Sequence, residues 1–225
     1  MKLFTKTLAA ASLAGAAIAA TPAAAQVSGN IGVVDVSRTV VASSALSTGF
    51  QQIGTTYASQ ITQIQQKQQQ AQTLIQQLDT NNDGNLDQAE QQAAQTAPQA
   101  QQIQTLEREI AQLQNQLDTA RVYVVEQILL QYGAALQTVV AADNIQLVIS
   151  PDAVAWSNPA ANIGQKVVNA LNARVPSVQI TPPQGWQPSQ QSVAVYQQVQ
   201  QLMVMAARQQ AAAQQQQQPA QTNGR

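Results

Sequence analysis

The sequence contains no cysteine and no histidine among its 225 residues. These absences exclude disulfide bonds, zinc sites built on cysteine or histidine, cysteine nucleophiles and histidine general bases. Hydrolase triads that depend on histidine are excluded with them. Outside one acidic loop the carboxylates show no paired arrangement suited to acid–base chemistry. The sequence therefore predicts a protein that is not an enzyme.

Aromatic and charged residues are also scarce, at 4% and 9% of the chain. Glutamine is abundant instead, with 46 residues, about a fifth of the total. Because alanine and glutamine both fit helices easily, this composition favours long helices over a thick globular core. The formal net charge of −1 gives no electrostatic footprint for a nucleic acid.

Residues 1–25 have the pattern of a secretory signal peptide. Lys2 and Lys6 accompany an alanine-rich apolar run that is too short for a good membrane span, and small residues precede a cleavage point after Ala25. The alternative is a permanent N-terminal anchor. We expect residues 26–225 to be exported to a bacterial periplasm, without a stable membrane span.

Two short apolar segments, 31–36 and 144–150, are predicted to be strands. Between them, apolar residues recur at alternating spacings of three and four, with Gln68 filling one slot. The first stripe consists of Leu46, Phe50, Ile53, Tyr57, Ile61, Ile64, Ala71, Ile75 and Leu78, and the second of Ile103, Leu106, Ile110, Leu113, Leu117, Ala120 and Val124. This spacing is that of a coiled-coil seam, so residues 42–143 are predicted to form a long antiparallel helical hairpin. Disordered low-complexity sequence is the alternative.

The predicted hairpin divides the rest of the chain into a small body and an extension. A helix over 42–78 reaches roughly 55 Å at about 1.5 Å per residue, so the hairpin should project from the body. We assign the first strand and body to residues 26–41, and the second strand and closing helix to 144–176. Pro98 should break the returning helix. The proline- and glutamine-rich extension, 177–225, is expected to be largely disordered, with one short helix near 193–207.

An acidic loop lies where the hairpin must reverse. Residues 79–90 read D-T-N-N-D-G-N-L-D-Q-A-E, which satisfies the EF-hand pattern throughout. The predicted calcium ligands are Asp79, Asn81, Asp83, Asn85, Asp87 and Glu90, with Asn85 contributing its backbone carbonyl and Glu90 two oxygens. Gly84 allows the sharp turn that wraps the ion. A ligand set made only of oxygen selects hard cations, and its size favours Ca²⁺ over Mg²⁺.

A polar turn that merely separates two helices is the alternative for this loop. That interpretation accounts for Asn82, Asp83 and Gly84. It does not account for ligand-type residues at positions 1, 3, 5, 9 and 12 of the loop together. A single EF-hand lacks the usual partner loop, so we expect a weak site, with a dissociation constant on the order of 10⁻⁴–10⁻³ M.

Two blocks of sequence, "IGVVDVSRTVVASSA" and "NIQLVISPDAVAWSNPAANIGQKVVNALNA", resemble the Skp/OmpH family of periplasmic chaperones. The resemblance extends over about residues 30–175. It implies a mainly α fold with a small β-body, in which the short strands pair in a jellyfish-like homotrimer and the hairpins project as tentacles. Two strands per chain cannot bury their faces alone, which agrees with such an assembly. The candidates for the trimer core are Ile31, Val33, Val34, Leu147, Val148 and Ile149.

The function that the resemblance implies is an ATP-independent holdase for unfolded outer-membrane proteins. One feature departs from the family, whose tentacles are generally basic. Residues 40–145 here contain three basic and nine acidic side chains, a formal charge of −6. Electrostatic attraction of an acidic client is therefore not expected, and client binding would have to rely on exposed apolar side chains and glutamine-coated surfaces. The alternative is a calcium-dependent envelope interaction or structural protein without general chaperone activity.

Overall fold

The computed structural model describes residues 29–217. The chain before the acidic loop forms β1 (Asn30–Val33), α1 (Val36–Val41), α2 (Ser44–Thr56) and α3 (Ala58–Leu78). After it come α4 (Gln88–Ala94), α5 (Pro98–Ala142), β2 (Ile145–Ile149), α6 (Gly164–Arg174) and α7 (Gln190–Gln217), with short 3₁₀ turns at Pro151–Ala153 and Pro159–Ala161. The predicted signal peptide, 1–25, lies outside the described residues.

The two strands form a small parallel sheet. Ile31 lies opposite Leu147, and Val33 opposite Ile149. A parallel pair needs a long crossover connection, which here is the entire helical hairpin. The mainly α architecture with a small β-body is confirmed. The strands pair within one chain, whereas we expected their pairing in an oligomer, and pairing between subunits stays a prediction.

The outgoing arm of the hairpin is two helices rather than the single helix predicted over 42–78. Tyr57 separates α2 from α3 with φ −100° and ψ 20°. Its N–H donates to the Ile53 carbonyl, and its carbonyl accepts from the Ile61 N–H, at 2.9 and 3.0 Å. The interruption is therefore confined to one residue. It follows Gly54 and two threonines, which are weak helix formers.

Helix boundaries confirm the predicted break at Pro98 and show how two other elements are capped. Pro98 is the first residue of α5, where its missing N–H costs nothing, and α4 is a separate short helix as predicted. The cap of α1 is Asp35, because the chain is still extended at this residue and its carboxylate accepts the Arg38 N–H at 2.8 Å. Asn158 caps the 3₁₀ turn that precedes α6.

The core is built on α5. Val124, Val125 and Ile128 of this helix are fully buried. They belong to one apolar cluster with side chains from the other helices of the body, among them Val40, Ile53, Val167, Leu171 and Val199. The α3, α2, α6 and α7 helices all pack along α5. Its 45 residues, about 68 Å at ~1.5 Å per residue, therefore hold both the hairpin and the body together.

Part of α5 is more apolar than we expect for a protein without a stable membrane span. Within Pro98–Ala142, an 18-residue window has a mean hydropathy of 1.2, and 28% of that window is buried. By length and composition alone, this helix is sufficient to cross a membrane. The same helix supplies Val124, Val125 and Ile128, which are fully buried in the core.

The C-terminal extension was expected to be largely disordered, whereas α7 is a 28-residue helix. Val195, Tyr196 and Val199, on its first half, are 9%, 5% and 0% exposed. They pack against α1 and α5. The expected apolar stripe near 193–207 is thus used in part to dock this helix on the body. Residues 218–225 lie outside the described residues.

Glu126 of α5 holds the start of α7. Its carboxylate accepts hydrogen bonds from the Trp186 indole and the Ser189 amide, both at 3.0 Å, and from the Ser192 hydroxyl. The Trp186 ring also meets Tyr123 edge-on, with centroids 5.0 Å apart. Burial raises the pKa of Glu126, but these hydrogen bonds outweigh it and the pKa lies below its usual value. The ionised form is therefore the one that favours the docked segment.

Ile128→Ala should lower the free energy of unfolding by about 2–5 kcal/mol, because a fully buried side chain leaves a cavity when truncated. Leu130→Ala is the matched control on the same helix. Leu130 is 73% exposed, so its change should stay within about 0.5 kcal/mol. Urea denaturation followed by circular dichroism measures both. Equal destabilisation by the two substitutions would contradict the assignment of the buried face.

Docking of the extension should weaken in acid. Because the pKa of Glu126 is lowered by folding, its contribution is complete above the usual carboxyl pKa of about 4.3 and is lost as the pH falls through the lowered value. Trp186 fluorescence, recorded in a Trp156→Phe background, reports on the docked segment. Glu126→Gln should remove this acid transition. A transition that persists unchanged in Glu126→Gln would show that another group controls docking.

Candidate functional site

The hairpin seam is confirmed near the body and shifted near the tip. Ile64 and Leu117 are buried as predicted. Further out, Lys67 rather than Gln68 occupies the seam, where its ammonium group lies 2.6 Å from the Glu109 carboxylate. Leu74 is partly buried, whereas Ile75, the predicted seam residue, is 41% exposed. The glutamine-rich segment before them carries too few apolar residues to fix this choice from sequence.

A groove opens between α3 and α5 near the tip, with a volume of about 910 Å³. Its walls combine side-chain amides and hydroxyls with a few apolar groups. They include Gln66, Gln70, Thr73, Leu74, Gln101 and Leu106. Such a surface offers neutral hydrogen-bonding groups and apolar contacts but no ionised side chain. It is suited to contact a polypeptide of variable sequence.

The acidic loop forms the tip of the hairpin, between the ends of α3 and α4. Asn82 and Gly84 adopt left-handed φ angles of 59° and 84°. Asparagine and glycine are the residues that adopt this conformation at least cost. A Cβ on Gly84 would meet no atom within 4 Å, so the backbone conformation, not crowding, accounts for glycine there. The sharp turn is located where the sequence predicts it.

Asp79 organises the first half of the loop. It is 9% exposed, and its two carboxylate oxygens accept the N–H groups of Asp83 and Gly84, at 3.2 and 2.8 Å. The Asn81 side-chain oxygen also accepts from the Asp83 N–H, at 2.9 Å. The Asp83 carboxylate in turn accepts from the Asn85 N–H, at 2.8 Å. The oxygen-bearing side chains of these residues therefore point at backbone amides of the loop itself.

Glu90 organises the second half of the loop. It is 6% exposed, and its Oε1 accepts from the Thr80 N–H and hydroxyl, both at 2.8 Å, and from the Asn81 N–H at 3.1 Å. With Asp87 it forms a reciprocal capping box at the start of α4. Hydrogen bonds from the Thr80 hydroxyl and the Asp87 amide lower the pKa of Glu90. This carboxylate is thus held ionised across the two ends of the loop.

The six predicted ligands fit calcium in chemical type and order, since they are all oxygen donors on one loop. The loop is nevertheless arranged around its own amides. Within residues 29–217, no group of three or more acidic side chains is gathered closely enough to hold a metal ion. Glu90 would have to give up donors from Thr80 and Asn81 to offer both oxygens to a cation. Calcium binding would therefore require a local rearrangement.

The candidates for the trimer core divide into buried and exposed residues. Val33 and Val34 are 7% and 6% exposed within the single chain. Ile31 and Leu147, which lie opposite each other in the sheet, are 39% and 41% exposed. Val148 and Ile149 are partly buried. The sheet thus keeps some apolar surface outside the fold of one chain.

Sequence reasoning missed one surface, formed where α7 leaves the hairpin. Phe50 of α2 and Arg121 of α5 face the second half of α7 across a groove of about 720 Å³. Its α7 wall contains the consecutive residues Met203, Val204 and Met205, which are 43%, 50% and 56% exposed. The available signal was this apolar run, which continues the stripe of the docked half of α7.

Comparison with known proteins assigns a family to most of this architecture. Residues 30–171, from β1 into α6, match the family described as Outer membrane protein (OmpH-like). No curated protein matches the chain. A crystal structure of a candidate outer membrane chaperone (OmpH-like) from Caulobacter crescentus CB15 is similar to 79% of this chain and 95% of that one, with 17% identity and a TM-score of 0.44. Because the family match covers well over half of its residues, the chain belongs to the outer membrane protein (OmpH-like) family.

Proposed function

We propose that this protein is an ATP-independent periplasmic holdase for unfolded outer-membrane proteins. The observation that carries the proposal is the family match over residues 30–171, because OmpH-like proteins in general bind unfolded outer-membrane proteins and are not enzymes. The long hairpin supports it with a surface of glutamines interspersed with exposed apolar side chains such as Ile75. Holding a client through neutral contacts needs no nucleotide.

We also propose that the working form is a homotrimer joined through the β-bodies. A two-stranded sheet is marginal by itself and leaves its outer edges available for pairing. Ile31 and Leu147 provide exposed apolar surface on those strands. Three bodies joined in this way would place three hairpins around a shared space, in which a client could be enclosed.

A second proposal concerns the tip. We infer that the loop binds Ca²⁺ weakly through Asp79, Asn81, Asp83, Asn85, Asp87 and Glu90. The motif spacing and the burial of Asp79 and Glu90 at the two ends of the loop support it. A bound ion would reduce carboxylate repulsion and fix the angle between α3 and α4. If client holding is absent, calcium-dependent capture of an envelope partner is the alternative function.

Mature protein in stoichiometric excess should suppress aggregation of a urea-unfolded outer-membrane protein on dilution, without ATP. Light scattering of the client measures this, and the scattering mass of the chaperone alone should be three times that of one subunit. Ile75→Gln should weaken client binding about threefold, since part of an apolar contact is lost. Leu130→Gln, at an exposed apolar site nearer the body, is the matched control. No suppression by the wild type, or a monomer mass, would count against the respective proposal.

Isothermal titration of Ca²⁺ into the mature protein should give saturable heat, with a dissociation constant on the order of 10⁻⁴–10⁻³ M. Glu90→Gln should abolish the heat because the bidentate ligand is removed. Glu107→Gln removes the same charge from an exposed site on α5 and should leave binding intact. Absence of heat in both the wild type and Glu90→Gln would contradict the calcium proposal. Circular dichroism serves as the control that the helices remain folded in both proteins.

A further inference from the structure

The groove described above lies between the second half of α7 and the base of the hairpin. It begins where the apolar stripe of α7 leaves the core. Val199 is completely buried, whereas Met203, one turn later, is 43% exposed. From residue 200 to residue 214 the side chains of α7 are exposed, except Leu202, which is partly buried. An apolar helix face is thus carried outward beside Phe50 without being covered by the described chain.

The α7 end of this groove is fixed in place. The Tyr196 hydroxyl donates to the Asp118 carboxylate at 2.8 Å, and Gln198 accepts a hydrogen bond from the Ser37 hydroxyl. Burial and the bond to Asp118 raise the pKa of Tyr196 to about 12, so this phenol remains a donor at any physiological pH. The start of the groove is therefore anchored to the body through Tyr196 and Gln198.

The apolar lining is of an adaptable kind. Met203 and Met205 are the only methionines of the chain after Met1. Methionine is unbranched and polarisable, and surfaces that bind many different sequences use it often. Two exposed methionines flanking Val204 therefore fit apolar side chains of varied shape, as in an unfolded polypeptide.

The charge of the groove is opposite to that of the hairpin. Its only charged lining residues are Arg121 and Arg208. Arg121 is paired with Asp118 at 3.1 Å, whereas Arg208 has no acidic side chain within 4 Å among the described residues. Charges further than about 8 Å away are largely screened at physiological salt, so the local potential depends on Arg208 rather than on the net charge of −6 on the hairpin, because the charge of Arg121 is offset by Asp118.

We propose that this groove binds extended segments of unfolded polypeptide in which acidic side chains alternate with apolar ones. The apolar residues would contact Phe50, Met203 and Met205, and the carboxylates would meet Arg208 at the rim, with Arg121 behind it. The inference rests on the proposed holdase function and adds a sequence preference to it. It also assigns a client contact to α7, which lies entirely beyond the segment matched to the family.

Fluorescence anisotropy of a labelled synthetic peptide tests the preference. One probe has leucine and phenylalanine alternating with aspartate and serine, and its matched probe carries lysine in place of aspartate. The aspartate peptide should bind the mature protein about tenfold more tightly, since its carboxylates are attracted to Arg208 whereas lysine side chains at the same positions are repelled. Arg208→Gln should weaken its binding about threefold. Arg108→Gln removes an exposed arginine from the hairpin arm and should have no effect.

The double substitution Met203→Gln and Met205→Gln should weaken both peptides about tenfold through lost apolar contact. Both side chains are exposed, so circular dichroism and the oligomeric mass should not change. Location is tested separately, because a chain without cysteine accepts a single label. An environment-sensitive dye on Gln201→Cys, in the groove, should respond to the aspartate peptide, and the same dye on Gln112→Cys should not.

Equal binding of the two peptides, or equal effects of Arg208→Gln and Arg108→Gln, would overturn the proposal. A change of oligomeric mass in the methionine variant would overturn it too, because the groove would then be covered by a second copy. Suppression of client aggregation, measured on the same samples, distinguishes failure of the groove proposal from failure of the holdase proposal. If the wild type holds an outer-membrane protein but does not discriminate the peptides, the groove proposal fails and the holdase proposal stands. If the protein discriminates the peptides but does not suppress aggregation of the client, the holdase proposal fails and the groove proposal stands.

Discussion

Burial of the apolar face of α5 is the interaction on which the rest of the structure depends. Val124, Val125 and Ile128 are completely enclosed, and the cluster around them draws side chains from helices on both sides of the hairpin in the sequence. The two-stranded sheet is too small to organise the fold by itself. Its strands meet because α5 returns the chain beside β1, where the Asn30 side chain donates to the Asp143 carbonyl at 2.8 Å. Hairpin and body are therefore one structural unit.

Several of the few ionised groups have a specific structural role. Lys67 and Glu109 tie the hairpin arms together, Lys166 ties α6 to Asp143, and Glu126 fixes the start of α7. Most of the remaining surface is glutamine, which keeps long helices in water without committing them to particular partners. Exposed ion pairs contribute at most about 1 kcal/mol each, so the hydrophobic seam, not these contacts, supplies the stability of the hairpin. Among these contacts, only the Lys67–Glu109 pair links the two arms of the hairpin.

How much of this structure can be predicted from the sequence depends on how far apart along the chain the interacting residues lie. The two strands, the seam near Ile64 and Leu117, and the break at Pro98 were predictable because each depends on local spacing or backbone chemistry. Near the tip, glutamines dilute the apolar pattern, and a single ion pair moves Lys67 into the seam. Docking of α7 was not predictable, because Trp186 and Ser192 meet Glu126 across 60 and 66 residues of chain. In the loop, the oxygen-bearing side chains can be identified from the sequence. That these oxygens accept hydrogen bonds from backbone amides of the loop cannot.

The tip loop and the α7 groove lie too far apart to act on each other directly. Pro98 and Arg121 are separated along α5 by roughly 35 Å at ~1.5 Å per residue. A charge change at the tip is screened within about 8 Å and so does not alter the potential around Arg208. Any influence of a bound cation on client contacts at the groove must therefore pass through the packing of α3 on α5. Since the seam is loosest near the tip, where Ile75 is exposed and Leu74 only partly buried, a cation would stiffen the outer hairpin first. The base of the hairpin, held by its fully buried core, would keep its form with or without the ion.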